Sequence, residues 1–323
     1  MDDLDQRILT ELEQNGFRKA ESIARALRVG ERTIRRRIKD MTASNSIKVI
    51  AVPNPVVCGF TAWTKIGIKV APGYISSVAR ALVSHPSVYF VAYALGRFDI
   101  IIAVHFGTVQ RLAHFVNAEL VNIKGILNTE PWMLVFPRKY YHFSWPAPVF
   151  EKIRNRGKHY YEVAFNQTSY EMDELDQRIL DILKVDGLAR PASLKSKLGI
   201  GESTIRKHIK NMLNHGVYRL EAVPNPEILQ YEAWATIGIS VNQRHVDEVM
   251  DSVLKHSQVY LASVSLGRFN MVIAARFHNT DFLNHFVTQD LQSIPGIAST
   301  ETFLHNRPIK YHNVSWPRLI DGL

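Results

Sequence analysis

The sequence predicts an α+β fold built twice on one plan: a small helix-turn-helix domain followed by a βαββαβ sandwich. Three observations predict it. The 323-residue chain repeats itself at a fixed offset. Within each copy, apolar residues recur first at helical spacing and then at the alternating spacing of strands. A basic helix directly after a glycine turn stands at the same place in both copies.

The repeat is read directly. LGRFDIIIAVHF begins at Leu95 and LGRFNMVIAARF at Leu266, 171 positions later. The same offset aligns LDQRIL at Leu4 and Leu175, GERTIRRRIK at Gly30 with GESTIRKHIK at Gly201, AVPNP at Ala51 and Ala222, IGI at Ile66 and Ile237, and SWP at Ser144 and Ser315. No gap is needed between Leu4 and Pro146. The period is too long for a solenoid and fits a repeated unit of about 145 residues, one or two small domains. The expected division is helix-turn-helix domains over 1–50 and 173–221, βαββαβ domains over 51–146 and 222–317, and a linker over 147–172.

In the first copy Leu4, Ile8, Leu9 and Leu12 mark one amphipathic helix, and Ile23, Ala24 and Leu27 a second, shorter one. Val29-Gly30 is a turn. Ile34, Ile38 and Met41 mark a third helix from about Glu31 to Ala43. Three short helices with a tight turn before the third make a helix-turn-helix. From Thr61 the pattern changes. TAWTKIGIKV alternates as a strand, and YISSVARALVSHP is a helix ending before Pro86. VYFVAYAL and DIIIAVHF are strands joined across GRF. VQRLAHFVNAEL is a helix, and ILNTEPWMLV a last strand after the IKGI turn. The second copy repeats every element.

Composition narrows the function. Apolar residues make up 46% and charged residues 21%, with a net charge of +9 that suits an acidic partner such as nucleic acid. One cysteine, Cys58, permits neither an intrachain disulfide nor a cysteine-rich zinc site, so the cytoplasm is the expected compartment. MDDLDQ lacks the apolar core of a signal peptide. The apolar run from Val88 to Phe106 is broken by Arg97 and Asp99, which makes it a poor membrane span and a good pair of buried strands. No H-E-x-x-H, P-loop, nucleophile elbow or G-x-G-x-x-G is present, and neither a catalytic residue, a metal nor a cofactor is expected. The recurring His85/His256 and His114/His285 read as helix-end and packing residues.

Projected at about 100° per residue, the third helix puts Ile34, Ile38 and Met41 on one side. Arg32, Arg36 and Lys39 lie opposite, with Thr33 and Arg35 on the flanks and Arg37 nearer the core edge. In the second copy the outward residues are Ser203, Lys207 and Lys210, flanked by Thr204 and Arg206. Such a face suits the major groove of double-stranded DNA: arginine grips guanine bidentately, while lysine and threonine anchor phosphates. Arg32 is exchanged for Ser203 and Arg36 for Lys207, so the two heads are expected to read different half-sites.

The LDQRIL opening, the I-x-x-x-I-K third helix, the G-R-F-D or G-R-F-N before an apolar strand, and the K-G-I or P-G-I turn leading to T-E together resemble the Lrp/AsnC family of bacterial transcription regulators. The likeness covers Leu4–Pro146 and Leu175–Pro317. It implies winged helix-turn-helix heads, ferredoxin-like effector domains of the RAM type, and an amino acid or related metabolite bound between subunits. By that resemblance the effector pocket maps to Gly96, Arg97, Phe98 and Asp99, to Gly267, Arg268, Phe269 and Asn270, and to Thr129 and Thr300 in the loop entering the last strand. Arginine here is suited to a carboxylate and Asp99 to an ammonium group; Asn270 removes that charge from the second site. The tails YYHFSWP and KYHNVSWP depart from the family pattern.

The charge balance is +5 for residues 4–50 and +4 for 175–221, so both heads are basic. It is +5 for 51–146 but −2 for 222–317, which favours pairing of the first effector domain with the second. Further association of chains is expected. The alternative is a sirohaem-decarboxylase-like tetrapyrrole enzyme, a group of the same architecture.

Overall fold

The two copies fold into the same order of elements. In the computed structural model, which describes residues 2–15, 19–54, 57–140, 170–229, 231–306, 308–311 and 314–315, the first copy runs α1 (Asp3–Asn15), α2 (Ala20–Leu27), α3 (Glu31–Ala43), β1 (Ile47–Pro53), β2 (Ala62–Val70), α4 (Ile75–Ser84), β3 (Val88–Tyr93), β4 (Ile100–Phe106), α5 (Val109–His114) and β5 (Ile126–Tyr140). The second runs α6 (Glu174–Leu183), α7 (Pro191–Leu198), α8 (Glu202–Asn214), β6 (Tyr218–Pro224), β7 (Ala233–Val241), α9 (Val246–Val253), β8 (Val259–Leu266), β9 (Met271–Phe277), α10 (Thr280–His285), β10 (Ile297–His305), β11 (Lys310–Tyr311) and β12 (Val314–Ser315). Most of the expected linker, and most of the aromatic tail of the first copy, lie outside the described residues.

The chain divides by contact into two units, and each takes one part from both copies. The first holds residues 1–59 and 145–228, the second residues 60–144 and 229–323. In the first unit, the three helices of each head close on an apolar core: Ile8, Leu12, Ile23, Ile34, Ile38 and Met41 in one head, Ile179, Leu183, Leu194, Ile205 and Met212 in the other. Neither core is completed by its own copy. β1 pairs antiparallel with β6, and the central pair is Ile50 with Glu221. Through this ribbon Ala222 enters the core of the first head and Ala51 that of the second. This exchange accounts for the repeated AVPNP. Each proline ends its strand, and each following asparagine donates its N–H across the ribbon, Asn54 to Val217 O at 2.7 Å and Asn225 to Ser46 O at 2.9 Å.

In the second unit, each half carries helices on one face of its strands. Ile66, Ile68, Ile100, Ile102 and Val104 pack there on Val78, Leu82 and Phe115, and the second half repeats the arrangement. The chain at the end of each half then leaves its own sheet and pairs with the second strand of the other. β5 joins β8, with Leu134 opposite Ser265 and Tyr140 opposite Leu261. Reciprocally, His305 bridges Ala94 and Lys310 pairs with Val91. The result is a ten-stranded sheet in the order β10-β7-β9-β8-β5-β2-β4-β3-β11-β12, whose first strand bonds back to the residues after β3. Closure removes the exposed edges that an isolated half would present. Crossing also places a lysine, Lys139 on β5 and Lys310 on β11, at the end of a helix in the other half. Lys310 Nζ donates to the carbonyls of Val83 and His85 at 2.9 and 3.0 Å, and Lys139 Nζ to that of His256 at 3.1 Å. A cation there complements the helix dipole.

The strand faces turned away from the helices meet in a shared aromatic core. Trp132 stacks on Phe303 with centroids 4.8 Å apart, and Phe98 and Phe269 flank the pair. Phe98 lies over Gly67 and Phe269 over Gly238: a Cβ on either glycine would stand 2.5 or 2.3 Å from the ring. Space for these rings therefore depends on the glycine of IGI in each copy. Gly67→Ala and Gly238→Ala are each expected to lower unfolding free energy by about 1–3 kcal/mol through overpacking. Urea denaturation measures this, with Gly107→Ala, which has open space around it, as the near-neutral control.

Candidate nucleic-acid interface

α3 and α8 present their cations as the helical projection requires. Ile34 and Ile205 are fully buried, while Arg32, Arg35, Arg36 and Lys39 are exposed, as are Ser203, Thr204, Arg206, Lys207 and Lys210; Thr33 is half-buried. Glu31 and Glu202, one turn earlier, hold the flanking arginines: Arg35 Nε lies 2.8 Å from Glu31, and Arg206 Nη2 3.3 Å from Glu202. Arg32, Arg36, Lys39, Lys207 and Lys210 have no ion-pair partner among the described residues. Both helices start at an extended glycine, Gly30 or Gly201. The left-handed residue of the preceding turn lies further back, at Gly199 in the second head and at Arg28, φ 55°, in the first. The first head thus carries a strained non-glycine residue where the second does not.

Arg37 does not face outward. It pairs with Asp2 at 2.6 Å and Asp5 at 3.2 Å, tying the third helix to the first. The Asp5 backbone N–H, followed by Arg37, holds the Asp2 carboxyl below the usual carboxylate range, and Asp2 in turn raises the Arg37 guanidinium. At the same positions of the second head His208 Nδ1 lies 2.8 Å from Asp176 and 3.8 Å from Asp173. These three residues are the one grouping of metal-ligand type found among the described residues. Their alignment with an arginine-centred ion pair identifies them as a tether between helices.

The two GRF turns converge within the second unit. Gly96 and Gly267 have φ of 105° and 127°, which glycine alone adopts freely. Arg97 bonds Glu130 at 2.7 Å; Arg268 bonds Glu301 at 2.5 Å and reaches Glu130 at 3.9 Å. Thr129 and Thr300, both half-buried, immediately precede those glutamates. Glu130 also accepts from Trp132 Nε1 at 2.9 Å. Sequence reasoning noted the repeated T-E but assigned the glutamates no role. Phe98 and Phe269 are buried core residues. Asp99 accepts from Lys69 Nζ at 2.9 Å and from the Val70 N–H at 2.8 Å, whereas Asn270 spans the Val241 N–H and C=O at 2.7 and 2.6 Å. Both side chains thus fasten the end of a strand. The exchange of Asp99 for Asn270 follows that of Lys69 for Ser240, the residue 171 positions on.

Between the halves lies a buried polar chain that sequence reasoning missed. Lys65 Nζ donates to Thr236 Oγ1 at 2.9 Å, and His305 Nε2 lies 3.4 Å from the same hydroxyl. Phe90 packs against the ammonium, 4.8 Å from its centroid. Burial pushes Lys65 down to about 7; burial and then Lys65 push His305 down to about 3, so this imidazole is neutral. Cys58, pushed up by burial to about 12, stays a thiol. The recurring histidines pack at helix ends: His85 bonds Glu119 at 3.0 Å, and His256 lies 5.1 Å from Phe286.

A pair of helix-turn-helix heads on paired βαββαβ domains defines a class, DNA-binding regulators with a ligand-binding domain. The profile of the AsnC-type helix-turn-helix domain matches residues 1–42, and that of the Lrp/AsnC ligand binding domain matches residues 65–134 and 234–315. The HTH-type transcriptional regulator FL11 of Pyrococcus abyssi is 35% identical over 134 residues, 41% of this chain and 88% of that protein. FL11 of Pyrococcus furiosus is 32% identical over the same length, again 88% of it. The chain belongs to the Lrp/AsnC family. A solved structure, the siroheme decarboxylase NirDL, matches 98% of this chain and 97% of its own with a TM-score of 0.62 at 13% identity, a likeness of fold alone.

The sign of the Lys65 effect is fixed by its lowered pKa. The unfolded chain keeps this proton up to about pH 10.5, whereas the folded chain releases it near 7. Stability is therefore unpenalised above 10.5, falls as pH drops toward 7, and carries the full penalty below. Lys65→Met removes it, so the variant is expected to gain on the parent between pH 10 and 7, by on the order of 3–5 kcal/mol at the lower end. Urea denaturation as a function of pH measures that gap.

Proposed function

We propose that this chain is a DNA-binding transcription regulator in which a tandem-duplicated Lrp/AsnC unit supplies both halves of the working pair. The carrying observation is the reciprocal exchange of Ala51 and Ala222 through the ribbon, which makes two basic heads one folded unit. We take residues 1–50 and 173–221 as the heads, 51–146 and 222–317 as the effector domains, and 147–172 as the linker. The DNA-reading residues are Arg32, Thr33, Arg35, Arg36 and Lys39, with Ser203, Thr204, Arg206, Lys207 and Lys210. Because the recognition faces differ, the operator is asymmetric. The protein acts in the cytoplasm; no helix of the described residues is long and apolar enough to cross a membrane.

The effector is an amino acid or related small metabolite at the converging GRF turns. Arg97 and Arg268 already hold internal carboxylates. A zwitterion resolves the competition: its carboxylate takes the guanidinium fork while its ammonium takes the displaced Glu130 or Glu301. Leu95 and Leu266, 63% and 60% exposed beside the turns, support further association of chains.

Neutralising Arg32, Arg36, Lys207 and Lys210 together is expected to abolish promoter retention. Each lost phosphate contact lowers the slope of log affinity against log salt by about 1. Exchanging α3 and α8 is expected to reverse the order of half-sites in selected operators; an unchanged selection defeats the asymmetric reading. The fold shared with NirDL keeps the tetrapyrrole enzyme as the second reading. Titration with an iron tetrapyrrole separates them: a regulator leaves the Soret band unshifted.

A further inference from the structure

The first unit contains an open cavity between the heads, about 760 Å³ in volume. Lys19 and Arg190 both line it. These residues are 171 positions apart, so the cavity sits where the two copies face each other. Its other walls come from α3 and from the turn before α7. Ile38, Ala43 and Leu188 form an apolar floor, and Lys39 joins the rim. Arg35 also reaches the cavity but is already paired with Glu31. Lys19, Lys39 and Arg190 have no ion-pair partner among the described residues. Leu188 is 45% exposed, an apolar side chain that the heads leave uncovered. The first residue of α2, Ala20, also lines the cavity, and this helix has no side-chain cap at its N-terminus. Uncapped helix N–H groups add to the attraction for an anion.

We propose that this interhead cavity binds an amphipathic organic anion, an aromatic or branched aliphatic carboxylate, and that its occupancy weakens DNA binding. The volume is that of a small-molecule site. Three unpaired cations around an apolar floor require a ligand with both a negative head and an apolar body. A free phosphate or a nucleic-acid backbone meets the charge and leaves Leu188 uncovered. The site is separate from the GRF turns. Its effect on DNA rests on the reading of α3 as a recognition helix, because the ligand would neutralise Lys39 and crowd Arg35 on the flank of that face.

The test uses the full chain and 8-anilinonaphthalene-1-sulfonate, an anion with an apolar body, read by fluorescence without DNA. Saturable binding is expected, weakened at least tenfold by Leu188→Asp. N-phenyl-1-naphthylamine, the same body without the charge, is expected to bind at least tenfold more weakly. Inorganic phosphate at equal concentration is expected not to displace the probe. Binding unaffected by Leu188→Asp, equal binding of the neutral probe, or displacement by phosphate overturns the proposal. Should Leu188→Asp fail to fold, judged by circular dichroism, Arg190→Ser takes its place with the same criteria. DNA retention is then measured with and without the sulfonate. Loss of retention only when the probe is present supports the regulatory half. A probe that binds while retention is unchanged overturns that half. Failure to retain DNA even without the probe indicts the DNA reading and leaves the cavity result standing.

Discussion

The structure depends on one constraint: at the centre of each unit, a residue meets its own counterpart 171 positions away. Ile50 pairs with Glu221 in the ribbon, Trp132 stacks on Phe303, and Lys65 bonds Thr236. In a dimer of identical chains such positions lie on the two-fold axis, and each side chain must tolerate a copy of itself. Two buried ammonium groups at hydrogen-bond distance would repel strongly in a medium that screens them poorly. A lysine at this place therefore needs a partner that is not lysine. Thr236 supplies an acceptor, and the buried pair exists only because the two halves differ. The first βαββαβ half is poorly suited to meet another copy of itself at this place, and the second half supplies the suited partner.

The same comparison sorts what the two copies share from what they do not. Gly67 and Gly238, Phe98 and Phe269, Gly96 and Gly267 are identical, and each pair serves packing or a backbone turn. Differences collect where the halves meet and where the heads face outward. Arg138 bonds Asp251 at 3.1 Å and approaches Asp247 at 3.9 Å on α9, whereas its counterpart Ile309 enters the apolar core of the first half. One crossing strand is thus fixed by charge and the other by burial, in keeping with the opposite net charges of the two βαββαβ segments. Outward on the heads, Arg32 faces Ser203 in the comparison and Arg36 faces Lys207.

Local pattern disclosed most of the elements. The third helix was legible from Glu31 to Ala43 because its apolar spacing and flanking glycine are local signals, and the βαββαβ order followed from alternation in the same way. The ribbon was not legible. IKVIAVP and YRLEAVP are short and end in proline, and the partner of each lies in the other copy, which no local period reports. The alternation of the last strand ends at Val135, but the strand extends to Tyr140, across Pro137, because its second half pairs with β8 rather than with its own sheet. The helical projection puts Arg37 near the core edge, but its partners Asp2 and Asp5 lie at the start of another helix, which the spacing within α3 does not report. Glu130 and Glu301 carried a signal, the repeated T-E, but charge alone does not reveal that the nearest guanidinium is across the turn.

The tethers between the first and third helices of each head show how far two heads with one fold diverge in their support. In the first, Nη1 of Arg37 reaches both Asp2 and Asp5; in each head the two carboxylates also accept each other's N–H groups, at 2.9 and 3.1 Å in the first and 2.7 and 3.4 Å in the second. In the second, an imidazole reaches only Asp176 at hydrogen-bond distance and leaves Asp173 at 3.8 Å. Tyr170, ahead of the second copy, makes up the difference. Its hydroxyl donates to the other oxygen of Asp176 at 2.9 Å and accepts from Asn211 on α8 at 2.9 Å. Burial, then the Asp176 bond, raises this phenol to about 12, so it remains a donor. Asn211 stands where the first head has Asp40, a side chain that could not donate to a phenol. Three exchanges, Arg to His, Asp to Asn and a tyrosine recruited from outside the repeat, are therefore one change: a salt-bridged tether replaced by a neutral-capable hydrogen-bonded one that holds the second helix in the same place.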